Sequence, residues 1–262
     1  MEKPLEKIIT DGGFTAIFRK MGFVGDSLSS GEFVSYMNDV KDWHDMYEYS
    51  WGQFIARKCS LTAYNFSMGG MTARKFKEFA YHCGFFDKEK VCPAYVIALG
   101  VNDMYHLYDD PNYGFGSMDD VDFNDYRNNK ETFVGDYVRI IQEIREMQPK
   151  ARIFVVTMPR EPLDYYDDKR VPEDFDRHAE FLRKLPDYFE FLYVIDLRKY
   201  DVVYDDEFKK TYYLDDHMNP MGYLYVANVI SSYIDYIIRH NPDDFKQVGF
   251  IGKSLYNSKE KW

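Results

Sequence analysis

Four residues of this chain, Ser27, Gly70, Asn102 and His217, supply between them the parts that acyl transfer needs. A serine hydroxyl attacks a carbonyl carbon. An imidazole takes the hydroxyl proton and hands it to the leaving group. A backbone N–H and a side-chain amide hold the oxyanion that develops. Each residue stands in a short stretch with the marks of a turn. Ser27 follows the apolar run 21–24 through Gly25-Asp26. Gly70 lies in Ser67-Met68-Gly69-Gly70-Met71-Thr72, behind the run 61–66. Asn102 lies in Gly100-Val101-Asn102-Asp103, behind 93–99. His217 lies in Leu214-Asp215-Asp216-His217-Met218-Asn219-Pro220, ahead of a long segment with one apolar face. Taken singly, each also has an ordinary turn reading, because serine caps helices, asparagine tolerates left-handed backbone and glycine serves tight turns.

The elements that must position these residues are legible from periodicity. Residues 20–24, 61–66, 93–100, 152–158 and 191–197 read as strands. The run from Pro93 to Gly100 is continuously apolar, as expected of a parallel strand buried on both faces. Helical spacing predicts a helix over 50–58 with Ser50 as cap, and a second over 73–83 with Thr72 as cap. A third, over 132–148, carries Phe133, Val134, Tyr137, Ile140, Ile141, Ile144 and Met147 on one stripe and is closed by Pro149. Further helices are predicted over 174–185, near 205–212, and over 223–239. The last is interrupted by Ser231, Ser232 and Asp235, which argues against a membrane span. The repeated strand–loop–helix pattern gives an α/β fold of five parallel strands with helices on both faces. In open α/β sheets ligands sit beyond the carboxyl ends of the strands. The turns bearing Ser27, Gly70 and Asn102, the turn at Pro159 and the loop with His217 would gather there.

The remaining stretches carry weaker signals. Residues 14–18 read as a short strand or edge piece, and 31–49 as an irregular loop. Residues 104–130 are rich in Asp, Asn, Gly and Tyr without a period, and a loop this long is functional or disordered. Because it starts beside Asn102, it is expected to cover part of the site, with Tyr105, Tyr108, Tyr113 and Phe115 as substrate contacts; a solvated loop or a subunit contact is the alternative. The tail after Asn241 carries Phe245, Val248, Phe250 and Ile251, which either dock back or meet a partner. The whole reads as a single domain over 1–262, with an insertion at 104–130 and a tail at 241–262.

Composition narrows the function classes. Of 262 residues, 45% are apolar and 29% charged, a globular balance. The net charge of −11 and the lack of a Lys/Arg cluster argue against nucleic acid as a partner, since phosphate neutralisation needs a basic surface. Three cysteines without a Cys-x-x-Cys pair indicate neither a disulfide framework nor a zinc site. No signal peptide or membrane span is evident, so a cytoplasmic location is expected. The 24 Tyr and 21 Phe fit core and half-buried strand positions first, and platforms for a sugar or acyl chain second.

The four turns together resemble the SGNH (GDSL-type) hydrolase family. Gly25-Asp26-Ser27-Leu28 is similar to its first block and Asn65-Phe66-Ser67-Met68-Gly69-Gly70-Met71-Thr72 to its glycine block. Gly100-Val101-Asn102-Asp103 is similar to its Gly-x-Asn-Asp block and His217-Met218-Asn219-Pro220-Met221-Gly222 to its histidine block. The resemblance implies a three-layer α/β/α sandwich with flavodoxin-like strand order 2-1-3-4-5. It also implies ester or thioester hydrolysis without a metal or other cofactor. Ser27 would be the nucleophile, His217 the base, and Ser27, Gly70 and Asn102 the oxyanion hole. The family usually has Asp three residues before its histidine; here that residue is Leu214. Asp215 is the expected catalytic partner, with a backbone carbonyl or Asp216 as alternatives.

The reading is therefore a serine esterase acting on a small neutral ester, an O-acetylated carbohydrate or a short-chain acyl ester. Two other classes share the fold: a flavin or nucleotide binder, and a protein-interaction module. The oligomeric state stays open, a homo-oligomer included.

Overall fold

The computed structural model describes residues 2–166 and 171–246. After a short 3-10 turn, the chain enters β1 (Lys20–Gly25), a one-turn helix α1 (Ser27–Ser30), and two antiparallel strands, β2 (Glu32–Met37) and β3 (Val40–Asp45). Then follow α2 (Trp51–Cys59), β4 (Thr62–Ser67), α3 (Ala73–His82), β5 (Ala94–Ala98), α4 (Val101–Tyr105) and α5 (Phe133–Met147). The chain continues through β6 (Arg152–Val156), α6 (Pro172–Lys184), β7 (Leu192–Ile195), α7 (Leu197–Tyr200) and α8 (Asp206–Tyr212). It closes with β8 (Tyr213–Leu214), β9 (His217–Met218) and α9 (Pro220–His240).

Five strands form one parallel sheet in the order β4-β1-β5-β6-β7. Counted along the chain among themselves, these are 2-1-3-4-5. Val24 is opposite Phe66 on one side and Ile97 on the other, so the ends of β4, β1 and β5 are level. Successive side chains point to opposite faces. Val24, Phe66, Tyr95, Ile97, Ile153 and Val155 enter one core with residues of α3, α5 and α6. Phe23, Val96, Phe154, Val156 and Ile195 enter the other with residues of α2 and α9. Each layer of helices is thus glued to the sheet by its own apolar stripe. Side-chain caps start the helices where the sequence placed them: Ser50 accepts from Gln53 N–H, Thr72 from Lys75 N–H and Thr132 from Gly135 N–H.

The three polar residues of α9 have a packing reason. Ser232 Oγ accepts the Ile9 N–H at 2.8 Å, Asp235 Oδ1 accepts the Phe14 N–H at 2.9 Å, and Thr15 Oγ1 reaches the Ser231 carbonyl. They dock the amino-terminal segment. Among the described residues no helix is long and apolar enough to cross a membrane.

Three expectations are corrected. Residues Gly13–Ile17 form a 3-10 turn rather than a strand, because they bond to α9 and pair with no neighbouring strand. Residues 31–49 hold the hairpin β2–β3, turned by Asn38 and Asp39 at φ 51° and 63°. Asparagine and aspartate accept left-handed backbone, and two such residues make the tight loop a twisted hairpin needs. Past Tyr105, the long segment lies against the helices instead of arching over the sheet edge: Tyr108 bonds to Asp174 of α6, Asp110 to Arg74 of α3, and 114–129 pack against α5. Tyr113 and Phe115 are buried in the core, and the Gly114 and Phe115 carbonyls accept the Phe133 and Val134 N–H groups. In the tail, Phe245 packs against Phe154 and Tyr193; Val248, Phe250 and Ile251 lie outside the described residues.

Candidate active site

A cavity of about 410 Å³ opens at the carboxyl ends of the central strands. Ser27, Asn102, Tyr105, Asp215, Asp216 and His217 line it, over an apolar wall that includes Trp51, Val156, Leu197, Val226 and Ile230. The elements explain the gathering. Ser27 is the first residue of α1, directly past β1, with Asp26 as its N-cap accepting the Leu28 N–H at 3.1 Å. Asn102 begins α4 past β5, and His217 opens β9 just before α9.

The glycine block is tied to the asparagine block by two bonds. Asn102 Nδ2 donates to the Met71 carbonyl at 3.1 Å, and the Ala73 N–H donates to Asp103 Oδ1 at 2.9 Å. Gly70 itself has φ 66°, a left-handed backbone that glycine adopts without strain. It sits at an exposed turn beside the cavity and is not part of its lining.

His217 is gripped at both ring nitrogens. Asp216 Oδ1 is 2.8 Å from Nδ1, and Glu32 Oε1, at the start of β2, is 3.0 Å from Nε2. Burial favours the neutral ring, but Glu32 and Asp216 outweigh it and hold the imidazole pKa above its usual range. The expectation that Asp215 orients the ring is corrected here. Asp215 and Asp216 form the two-residue turn between Leu214 and His217, and Asp215 takes φ 63°. That twist sends the Asp215 carboxylate outward to Tyr36 OH and to Lys41 Nζ, at 2.8 Å from the latter. Asp216, next to the histidine, folds back on Nδ1 and shares Lys41 at 2.8 Å. The lysine, first, and then Tyr36 hold the Asp215 carboxyl below the usual carboxylate range.

Of the four aromatic residues expected to meet substrate, Tyr105 lines the cavity. The other three do not. Tyr108 is largely exposed, and its OH donates to the buried Asp174 of α6 at 2.6 Å. Tyr113 lies under the Arg74 guanidinium, and Phe115 packs against Phe133 and Phe181. Both tyrosine and phenylalanine satisfied the core before they could serve a site. Glu32 was hidden from sequence reasoning because its stretch lacked an assigned element; the Asn38-Asp39 pair was the signal that could have found the hairpin.

Two buried carboxyl groups flank the site. Burial pushes Asp26 up to about 7 and Asp103 up to about 8; the Leu28 and Ala73 N–H groups oppose these shifts. Asp103 Oδ2 is buried and has no hydrogen-bond partner, which fits a neutral carboxyl group.

The family model of the GDSL-like lipase/acylhydrolase family matches residues 23–224. The fold is similar to the acetyl xylan esterase AlAXEase, at 18% identity over 82% of this chain and 99% of that one, with a TM-score of 0.53. It is also similar to a family two carbohydrate esterase from Clostridium thermocellum solved with cellohexaose. There the identity is 18% over 86% of this chain and 65% of that one, with a TM-score of 0.55. A search of curated proteins returns no match. The matched span carries all four turns, Ser27 to His217, and the chain belongs to the GDSL-like lipase/acylhydrolase family.

Proposed function

We propose that this hydrolase is a serine esterase with Ser27 as nucleophile, His217 as general base and acid, and Asp216 as the carboxylate that positions the ring. The observation that carries the reading is the shared cavity: Ser27, Asn102 and His217 line one space, and Asp216 Oδ1 lies 2.8 Å from His217 Nδ1. In the first half-reaction Ser27 Oγ bonds to the ester carbon. The carbonyl electron pair moves onto oxygen, and the hydroxyl proton passes to His217 Nε2. Collapse of that intermediate breaks the bond to the alcohol oxygen, which leaves with the same proton. Water then repeats the sequence on the acyl-enzyme and frees the acid. Asn102 Nδ2, already anchored on the Met71 carbonyl, has a second N–H for the oxyanion. The Ser27 N–H joins that set in this reading, and the Gly70 turn stands beside the cavity.

The substrate class is a small neutral ester. A cavity of about 410 Å³ with an apolar wall suits a short acyl group. Asp26, Asp215, Asp216 and Glu161 outnumber Lys209 at its lining and disfavour an anionic substrate. The likeness to carbohydrate esterases supports an O-acetylated sugar as the natural ester. The test is turnover of p-nitrophenyl acetate together with labelling by a fluorophosphonate probe. Ser27→Ala is expected to lose both while keeping its fold. A folded Ser27→Ala protein with most of the parent rate would overturn the reading.

A further inference from the structure

Glu32 is a carboxylate that the proposed reaction does not use. It stands at the edge of the cavity, where the base has to work. Its side chain is only 12% exposed, and Oε1 is 3.0 Å from His217 Nε2. Its other oxygen faces the glycine turn so closely that a Cβ on Gly69 would lie 2.0 Å from Oε2. The residue is fixed from behind, since Tyr223 OH donates to the Glu32 carbonyl at 2.6 Å and β2 pairs Glu32 with Asp45. The carboxylate is therefore wedged between the histidine and the Gly69-Gly70 turn.

Carboxylates on both ring nitrogens make both nitrogens donors, and only the imidazolium has two N–H groups. A ring in that state has no lone pair with which to take a proton from Ser27. When the ring loses a proton, Asp216 keeps the Nδ1–H. The Nε2 lone pair then faces an anionic oxygen of Glu32, and the contact turns from attractive to repulsive. We propose that Glu32 is a positioning residue that holds the Nε2 edge of His217 in the resting enzyme, so that the ring serves Ser27 only after this contact opens. The proposal rests on the serine-esterase reading for its consequence in catalysis, but not for the histidine contact itself.

The other charged groups around the ring are accounted for. Asp216 faces Nδ1 from the β8–β9 turn. Lys41 of β3 pairs with Asp216 and Asp215. Asp26, before α1, adds a negative charge that favours the imidazolium and is itself pushed up to about 7 by burial. Asp45 of β3 is engaged by Ser30 Oγ and by the Gly69 N–H. Tyr223 of α9 stays neutral, its hydroxyl pushed far up by burial. Of these carboxylates, Glu32 and Asp216 touch the ring, and Glu32 alone occupies its Nε2 side.

The experiment is a pH titration of the His217 ring Cε1–H by NMR in the full chain, with a His217→Gln spectrum to assign its resonance among the six histidines. It is paired with the pH profile of kcat/KM on p-nitrophenyl acetate. The wild-type midpoint is expected above the ordinary histidine value of about 6.5. Glu32→Gln keeps the shape and removes the charge, and it is expected to lower the midpoint by about one to two pH units, the ordinary size for a carboxylate this close. The acid limb of kcat/KM should move by the same amount. Glu32→Ala guards against a glutamine that substitutes for the contact. A wild-type midpoint at or below about 6.5 would overturn the proposal. So would Glu32→Gln and Glu32→Ala proteins with native circular dichroism and an unmoved midpoint. Retained turnover in Ser27→Ala would instead sink the esterase reading and leave the NMR result to decide about Glu32.

Discussion

Asp216→Asn and Asp215→Asn remove the same charge from adjacent residues, and the structure separates their effects. Asp216 Oδ1 lies 2.8 Å from Nδ1 of the His217 ring, which in the proposed mechanism becomes an imidazolium as Ser27 loses its proton. Two unit charges about 4 Å apart interact by about 1 kcal/mol in water and about 4 kcal/mol at an effective dielectric of 20. The Asp216 side chain is 46% exposed and shares Lys41, so solvent and the ammonium both screen it. A loss of about 2 to 3 kcal/mol of transition-state stabilisation follows, roughly a 30- to 160-fold fall in kcat. That is less than the roughly 10⁴-fold seen where such an aspartate is fully buried. Asp215 meets Tyr36 and Lys41 and not the histidine; its removal frees Lys41 to lean on Asp216, and kcat should change by less than about threefold. The assay is kcat on p-nitrophenyl acetate at a pH above the His217 titration, with KM recorded for each variant. KM should move little in both. An Asp215→Asn enzyme more than tenfold slower, beside an Asp216→Asn enzyme near the wild-type rate, would refute the assignment drawn from the turn geometry.

Two further outcomes are expected. Asp103 has a folded pKa of about 8 against about 3.9 unfolded, so the folded chain holds an extra proton between these values and loses stability as pH rises through them. Asp103→Asn keeps an acceptor for the Ala73 N–H and has no charge; its stability advantage over wild type should be on the order of 3 kcal/mol larger at pH 8 than at pH 5, by urea unfolding. A gap that does not vary with pH would show that Asp103 titrates normally. Gly100 has φ 139°, and a Cβ there would come 2.3 Å from His178 Nε2, which contacts the Leu99 carbonyl at 3.0 Å. Gly100→Ala should therefore cost roughly 2 to 4 kcal/mol, read as a lower urea midpoint, and a variant as stable as wild type would contradict the described backbone.

The sheet was legible because burial on both faces leaves a continuous apolar signature, as in 93–99, and because Ser50, Thr72 and Thr132 mark helix starts with the residue types that cap them. The four turns were legible because each follows a strand and contains residue types that chemistry or tight backbone demands. What escaped was decided by tertiary contacts. Tyr113 and Phe115 look alike as core residues and as substrate platforms, and only their packing against Arg74, Phe133 and Phe181 settles the matter. The choice between Asp215 and Asp216 depended on a left-handed residue in a two-residue turn, which no periodicity reports. Glu32 needed two non-local facts at once, that 32–45 is a hairpin and that it leans on the histidine turn.

The β2–β3 hairpin has a consequence for how stability is distributed over the molecule. Tyr36, Met37, Val40 and Trp43 are exposed, so the outer half of this ribbon buries little apolar surface. A two-stranded ribbon is marginal on its own. Opening of such a unit costs less than global unfolding and proceeds independently of it. Yet the hairpin carries Glu32, Tyr36 and Lys41, which fasten His217, Asp215 and Asp216. The contacts around the histidine therefore follow the opening equilibrium of the ribbon rather than that of the sheet, and mild heat or denaturant would release the His217 ring while the α/β/α body is still folded.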